Sequence, residues 1–330
     1  MVLDMYKPFQ LAFSDNGRIL ALPKKIFLPM LSYNKEAFDR LGLVPPTTYE
    51  EFFDFCLLWM ENYALQYPEY SIDSIGNVLD MNGLFKRYAN EMQFNGKPLI
   101  YQSEPLKRVL VKYLAVMEAM KKDREAGTVS LFYVMDIPYK GSYEYMPLTF
   151  ERENSFVMDV SADDFSYFVV NPNSENKEAA IDFLEAYIIN MEDIYRVILF
   201  DTINEAIPLD GYEQELARRE EELAALLTLL ETVEPSEIKH IEDRINQQKS
   251  SIDYYQKNER WAVSQEDIDV YKMFADSVYF KPFNPIHVLE SEYPELFDIH
   301  GMSTTSGMNQ YLIEIDTKVR LMMAEFKMSR

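Results

Sequence analysis

The sequence predicts a mixed α/β, helix-rich chain with room for two domains. Three observations predict it. Apolar residues recur at helical spacing in several stretches, short β-branched and aromatic runs stand between them, and 330 residues exceed one domain of roughly 150.

Near the start, Asp15-Asn16-Gly17 is a turn signal and residues 18–22 read as a strand. A short helix over 35–41 stops at Gly42, because glycine takes a left-handed backbone without strain. Pro45 and Pro46 then hold the chain extended. Thr48 is placed to cap the next helix, with Glu51 three residues on as the acid of a capping box. Phe52, Phe53, Phe55, Cys56 and Trp59 follow at helical spacing and form a wide apolar face, which assigns Trp59 to the core. Tyr63, Tyr67, Tyr70 and the segment 77–85 read as a loop and a helix.

Residues 103–122 form a long helix with Leu106, Val109, Leu110, Tyr113, Leu114, Met117 and Met120 on one face, and 128–135 form a strand by β-propensity. A second strand is read at 165–170. Ser174 then caps a helix, Glu175 favours its positive end, and Ala180, Phe183, Leu184, Tyr187 and Ile188 make its buried stripe. Over 213–255 the pattern changes. Leu216, Leu223, Leu226, Leu230 and Val233 keep a 3–4 spacing, Glu234-Pro235-Ser236 breaks it, and Ile238, Ile241, Ile245, Ile252 and Tyr255 resume it. This predicts an antiparallel, coiled-coil-like helical hairpin. A capped helix from Ser264 to about Ala275, an extended stretch over 280–285 and a terminal helix over 308–327 complete the chain.

Composition excludes several functions. A net charge of −23 argues against a nucleic-acid or anionic-membrane surface, which need clustered Lys and Arg. The single cysteine, Cys56, allows no intrachain disulfide and reads as a buried small hydrophobe. His240, His287 and His300 are scattered, with no HExxH or CxxC spacing, which argues against a His/Cys metal site. None of the ten glycines stands in GxGxxG, GxxxxGK or GxSxG spacing, so dinucleotide, P-loop and nucleophile-elbow chemistry lack their turns. No apolar run has the length of a membrane span, and the first ten residues lack the plan of a signal peptide.

Two strings carry a family resemblance. Tyr33-Asn34-Lys35, Phe38, Gly42-Leu43, Pro46, Thr48-Tyr49 and Glu51 match the pattern YNKxxFxxxGLxxPxT[WY]xE. Ser174, Asn176-Lys177-Glu178-Ala179-Ala180 and Phe183-Leu184 match SxNKEAAxxFL. These resemble signatures of the extracellular solute-binding proteins of ABC importers, family 1, the sugar-binding type. Residues 17–23 are similar to the family's GKiYALP strand, and 317–325 resemble its C-terminal helix. The stretch 127–131 departs from the family's G-[KR]-x-A-M strand, and the hairpin is an addition to it.

The resemblance implies a periplasmic-binding-protein-like II fold, two lobes joined by crossing strands, lacking the N-terminal segment of the first lobe. Residues 1–26 and 161–284, with the 213–255 hairpin insertion, would form the partial first lobe. Residues 27–160 and 285–330 would form the second. It implies capture of a carbohydrate, an oligosaccharide, in an interlobe cleft, and delivery to ABC transporter permease subunits. The protein would be a monomer outside the cytoplasm, lipid-anchored in its full-length form, with no cofactor, metal or catalysis. By position in the family pattern, Asp80, Asn82, Asp136, Tyr139, Tyr143, Ser161 and Asp163 face the cleft. Trp261 either packs the base of the hairpin or lies by the cleft. A second reading is a non-catalytic scaffold that uses the hairpin as a docking arm.

Overall fold

The computed structural model describes residues 5–15, 18–72, 80–121, 127–137, 143–160, 165–171, 173–280, 285–292 and 305–328. They form two compact units: Met1–Tyr6 with Val170–Met273, and Lys7–Val169 with Phe274–Arg330.

The larger unit opens on α1 (Lys7–Phe13) and a two-residue antiparallel pair, β1 (Ser14–Asp15) and β2 (Arg18–Ile19). The strand expected over 18–22 is divided. β2 ends at Ile19, and β3 (Leu22–Ile26) pairs antiparallel with β10 (Phe165–Phe168). Ser166 opposes Lys25 and Tyr167 opposes Pro23, so Lys24 is bulged out of the register beside a proline that has no N–H to give.

β4 (Pro29–Asn34) leads directly into α2 (Lys35–Leu41). Asn34 makes the junction, accepting the Ala37 N–H at 2.9 Å, and Gly42 ends the helix with φ 64°, as predicted. Thr48 caps α3 (Tyr49–Leu58), accepting the Glu51 N–H at 3.2 Å. The capping box is displaced by one residue: the Glu51 carboxylate takes the Thr47 N–H at 2.9 Å and the Thr47 hydroxyl at 2.8 Å, not the cap's own N–H. The Thr47 N–H is the main reason this carboxyl is held down at about 2. α3 runs on into a π-helical turn, Trp59–Tyr63.

β5 (Tyr70–Ser71), α4 (Met81–Phe94), α5 (Glu104–Met120), β6 (Val129–Ser130), β7 (Phe132–Asp136), β8 (Tyr143–Tyr145) and β9 (Met158–Val160) follow. One core joins α3, α4 and α5. Phe52, Phe53 and Cys56 of α3 and Trp59 of the π-helical turn share one buried cluster with Leu84, Phe85 and Tyr88 of α4 and Leu106, Val109, Leu110 and Tyr113 of α5. Full burial of one such aromatic side chain contributes about 2–3 kcal/mol. Five nearly parallel rings, Phe38, Phe55, Trp59, Tyr63 and Tyr67, stack in succession at 5.4 to 6.4 Å.

The smaller unit holds α6 (Lys177–Ile189), α7 (Asp193–Leu199), β11 (Ile207–Pro208), α8 (Tyr212–Leu230), α9 (Ile238–Asn258), β12 (Trp261–Val263) and α10 (Gln265–Phe274). Tyr271 ties α10 to α7 by donating to the Ile198 carbonyl at 2.7 Å. Tyr212 stacks on Tyr255 at 5.2 Å, and Arg219 bonds Ser251 at 2.6 Å, so α8 and α9 pack with opposite chain directions. The seam is uneven: Ile241, Ile245, Ile252 and Tyr255 of α9 are buried, while no residue of α8 is. Trp261 lies at the base of this pair, beside Leu209, Tyr212 and Arg260.

Two expectations fail at α6. Ser174 is not its cap. The helix begins at Lys177, and the Ser174 hydroxyl accepts the Asn176 N–H at 3.1 Å in the preceding turn. The stripe expected to be buried is not: none of the 13 residues of α6 is buried. The amphipathic pattern is present, but Ala180, Leu184, Tyr187 and Ile188 are only partly buried.

The chain returns to the larger unit as β13 (Val278–Phe280), which pairs parallel with β9, then α11 (Pro285–Glu292) and α12 (Thr305–Met328). α12 is tied to the approach to α5 by the buried Asp316, which accepts the Tyr101 N–H at 3.0 Å and the Arg320 guanidinium at 2.7 Å.

The parallel pair β5–β6 sets one steric constraint. A Cβ on Gly127 would lie 2.5 Å and 2.6 Å from the Tyr70 backbone carbon and oxygen. Neither can rotate aside. Gly127→Ala is therefore expected to lower stability by about 1–3 kcal/mol, read as an earlier urea midpoint. An unmoved midpoint would show that β5 and β6 part at no cost.

Candidate functional site

β4 is the middle strand of the order β7–β4–β8, antiparallel to both neighbours. Ser32 opposes Tyr133 on one side and Tyr145 on the other, and Asn34 opposes Tyr143. Directly opposed residues share a face, as do alternate residues along a strand. Ser32, Asn34, Tyr133, Tyr143 and Tyr145 therefore lie on one face; Tyr33, Phe132 and Glu144 lie on the other.

The second face is covered. Phe132 meets Phe52 at 4.9 Å and Phe55 at 5.4 Å between ring centroids, and Tyr33 meets Phe38 at 4.8 Å. At its edge Tyr33 donates to Glu144 Oε2 at 2.7 Å, and Lys35 Nζ lies 3.1 Å from Glu144 Oε1. Burial, and then Glu144, push the Tyr33 phenol up to about 12.

The first face carries the rings that a ligand could use. Tyr133 is 53% exposed, and its ring lies 6.0 Å from that of Tyr143 at a 46° tilt. Tyr143 is held by its hydroxyl, which donates to the Ser130 carbonyl at 3.2 Å. Tyr145 is buried beside Phe274 at 6.3 Å and donates to the Asp136 carbonyl at 3.4 Å. Ser32, opposed by Tyr133 and Tyr145 on this face, is small and fully buried. The Asn34 carbonyl is committed to the helix cap, so its amide N–H groups are what it can offer a ligand. Such a surface can cover the apolar face of a ring and donate to oxygens at its edge.

Of the seven residues expected to face a cleft, four lie among the described residues. Tyr143 is part of this face. Asp136 is exposed at the far end of β7 opposite Pro29, five positions of β4 away from Asn34 and Tyr143. At about 3.3 Å per residue that is roughly 17 Å. Asp80 caps α4, its Oδ1 taking the Gly83 N–H at 2.6 Å, and Asn82 is partly buried in the first turn of that helix. Tyr139, Ser161 and Asp163 lie outside the described residues. Sequence reading missed Tyr133 and Tyr145. The alternation in Phe132-Tyr133-Val134 and Tyr143-Glu144-Tyr145 was a usable signal, but it does not say which face of a strand stays open.

Glu91 is a buried carboxyl of this unit whose pKa is raised. It is 2% exposed, and burial pushes it from its ordinary 4.5 up to about 7. Such shifts mark candidates for acid–base work. Its surroundings assign it elsewhere, because every donor comes from one segment: the Phe150 N–H at 2.8 Å, the Glu151 N–H at 3.4 Å and the Asn154 amide at 2.5 Å. Asn95 and Ser155 exchange two further bonds at 2.8 and 3.0 Å. Glu91 thus clamps residues 150–155 to α4.

No protein-family model matches the chain, and no curated protein matches it. Solved structures do. The cyclic alpha-maltosyl-1,6-maltose binding protein of Arthrobacter globiformis aligns with a TM-score of 0.53 at 11% identity, over 96% of this chain and 75% of that one. A Synechococcus sp. MITs9220 protein described as an oligosaccharide periplasmic-binding protein aligns with a TM-score of 0.50 at 11% identity, over 98% and 78%. The chain therefore shares the fold of sugar-binding periplasmic proteins, the resemblance that its two sequence motifs carry.

Glu91 gives the larger unit a pH signature. With its folded pKa raised, the native state holds the proton more tightly than the unfolded chain. The associated stability is full below pH 4.5 and is lost as pH rises through about 7. Relative to Glu91→Gln, the wild type is expected to lose up to about 3 kcal/mol across that interval. Urea midpoints of both proteins at a series of pH values measure it, and a difference that stays flat would sink the assignment.

Proposed function

We propose that this chain is the solute-binding component of an ABC importer, taking an oligosaccharide on the tyrosine face of β7–β4–β8 and delivering it to a membrane permease. The observation that carries the reading is the ring pair Tyr133 and Tyr143, on the same face of the sheet as Ser32 and Asn34, with Tyr133 half exposed. Sugars present an apolar C–H face that aromatic rings cover, and hydroxyls that must be satisfied once buried. The two structural neighbours are named for cyclic alpha-maltosyl-1,6-maltose and for oligosaccharide, which supports the ligand class. Binding and release make no covalent bond, so the protein is not an enzyme.

The finer architecture belongs to the same proposal. Two lobes of the periplasmic-binding-protein-like II type, 1–26 with 161–284 and 27–160 with 285–330, close on the ligand as a hinged trap. The pairing of β3 with β10, far apart in sequence, supports strands that cross between lobes. The α8–α9 pair is an antiparallel hairpin inserted into the second half of the first lobe. The protein works as a monomer outside the cytoplasm, held to the membrane by a lipid anchor. No helix among the described residues is long and apolar enough to cross a membrane.

A thermal-shift screen against linear and cyclic malto-oligosaccharides and unrelated sugars tests the reading, since a ligand that binds the native state raises its melting temperature. One sugar class is expected to shift it. Tyr133→Ala should weaken that sugar at least tenfold, about 1.4 kcal/mol, with the melting temperature of the free protein little changed because the ring is half exposed. A flat panel, or a variant that binds like wild type, defeats the proposal.

A further inference from the structure

Asn34 and Tyr143 are brought together by register and fixed by opposite commitments. They oppose one another across β4 and β8, which sets their Cβ atoms about 4.5–5.5 Å apart. Asn34 Oδ1 accepts the Ala37 N–H at 2.9 Å, which fixes the amide's orientation, and no acceptor among the described residues takes its Nδ2 hydrogens. Tyr143 is committed the other way. Its hydroxyl gives its hydrogen to the Ser130 carbonyl at 3.2 Å, so the phenol oxygen has only its acceptor capacity left. On the other edge of β4 the Asn34 N–H donates to the Leu131 carbonyl at 2.9 Å, and Ser130 is the residue just before Leu131. The Tyr143 side chain therefore crosses β4 at the level of Asn34 to reach its partner.

An amide that only donates, beside a phenol that only accepts, selects what can pair with both. A hydroxyl can: its oxygen accepts from Asn34 and its hydrogen goes to Tyr143. An ether or a carboxylate only accepts and an ammonium only donates, so each leaves one partner unpaired once the site is covered. The rest of the face offers no counter-charge. Met30 and Met135 oppose one another on it, while Asp136 and Glu144 alternate to the other side of the sheet. We infer that Asn34 and Tyr143 together read one free hydroxyl of the bound sugar, so that the site takes neutral rings and rejects those carrying an ether, a carboxylate or an ammonium at that position. The inference rests on the carbohydrate reading above and adds the group that the site selects.

Two near-isosteric changes test it in the full chain. Asn34→Asp keeps an oxygen for the Ala37 cap and exchanges the donor for an acceptor. Tyr143→Phe keeps the ring and removes the hydroxyl. Maltotriose, cyclomaltoheptaose and raffinose are titrated by calorimetry into wild type, both single variants and the double variant, with the melting temperature of each free protein expected to stay near that of wild type. Each single change is expected to weaken the sugar that wild type binds by about tenfold or more. The double variant is expected to bind about as the weaker single one does, because either change alone already breaks the shared hydroxyl's bridge. Single variants that bind like wild type overturn this inference and leave the carbohydrate reading standing. Losses that multiply in the double variant overturn it too, since the two residues then act on separate groups. A wild type silent to all three sugars overturns the carbohydrate reading and this inference with it.

Discussion

The register of β4 is the constraint on which the larger unit depends. Among the described residues it is the strand bonded on both edges, and its two faces have opposite tasks. Tyr33 looks down onto the phenylalanine cluster of α2 and α3, and Ser32 and Asn34 look up among three tyrosines. A slip of one residue against either neighbour would exchange these faces, burying Asn34 in hydrocarbon and exposing Phe132. The cap that Asn34 supplies to α2 resists such a slip, because it ties the end of the strand to the start of the helix.

Much of this was legible in the sequence, and where it was not the cause is local. Gly42, Thr48 and the Phe52-to-Trp59 face use short-range signals: a left-handed stop, a hydroxyl before a helix, an apolar period. These act within one element, and the structure keeps them. Glu51 shows the limit of such signals, since a long side chain chose the N–H one residue beyond the pattern. Ser174 shows another, since its hydroxyl found a nearer partner in the preceding turn. α6 and α3 carry the same kind of amphipathic stripe and end in opposite burial. Periodicity says which side of a helix is apolar, and the tertiary environment decides whether anything covers it. The tyrosine face was half legible: Tyr143 was named from its place in a family pattern, while Tyr133 and Tyr145 needed the register.

Two buried carboxyls brace the helices of the larger unit. Glu91 joins α4 to residues 150–155, and Asp316 joins α12 to the approach to α5. Each replaces water with several donors from a segment distant in sequence, which is what allows an acid to stay inside at all. A binding surface gains from such bracing, because a ligand then need not order its own site.

The chain has two tryptophans, and they fall one to each unit. Trp59 is buried within the column of stacked rings, while Trp261 is 39% exposed with the Arg260 guanidinium 4.9 Å from its ring. The first is shielded from solvent and the second is in contact with it. Their emission is therefore separable by wavelength and by accessibility to an aqueous quencher, and the molecule carries a distinct optical label on each of its halves without chemical modification.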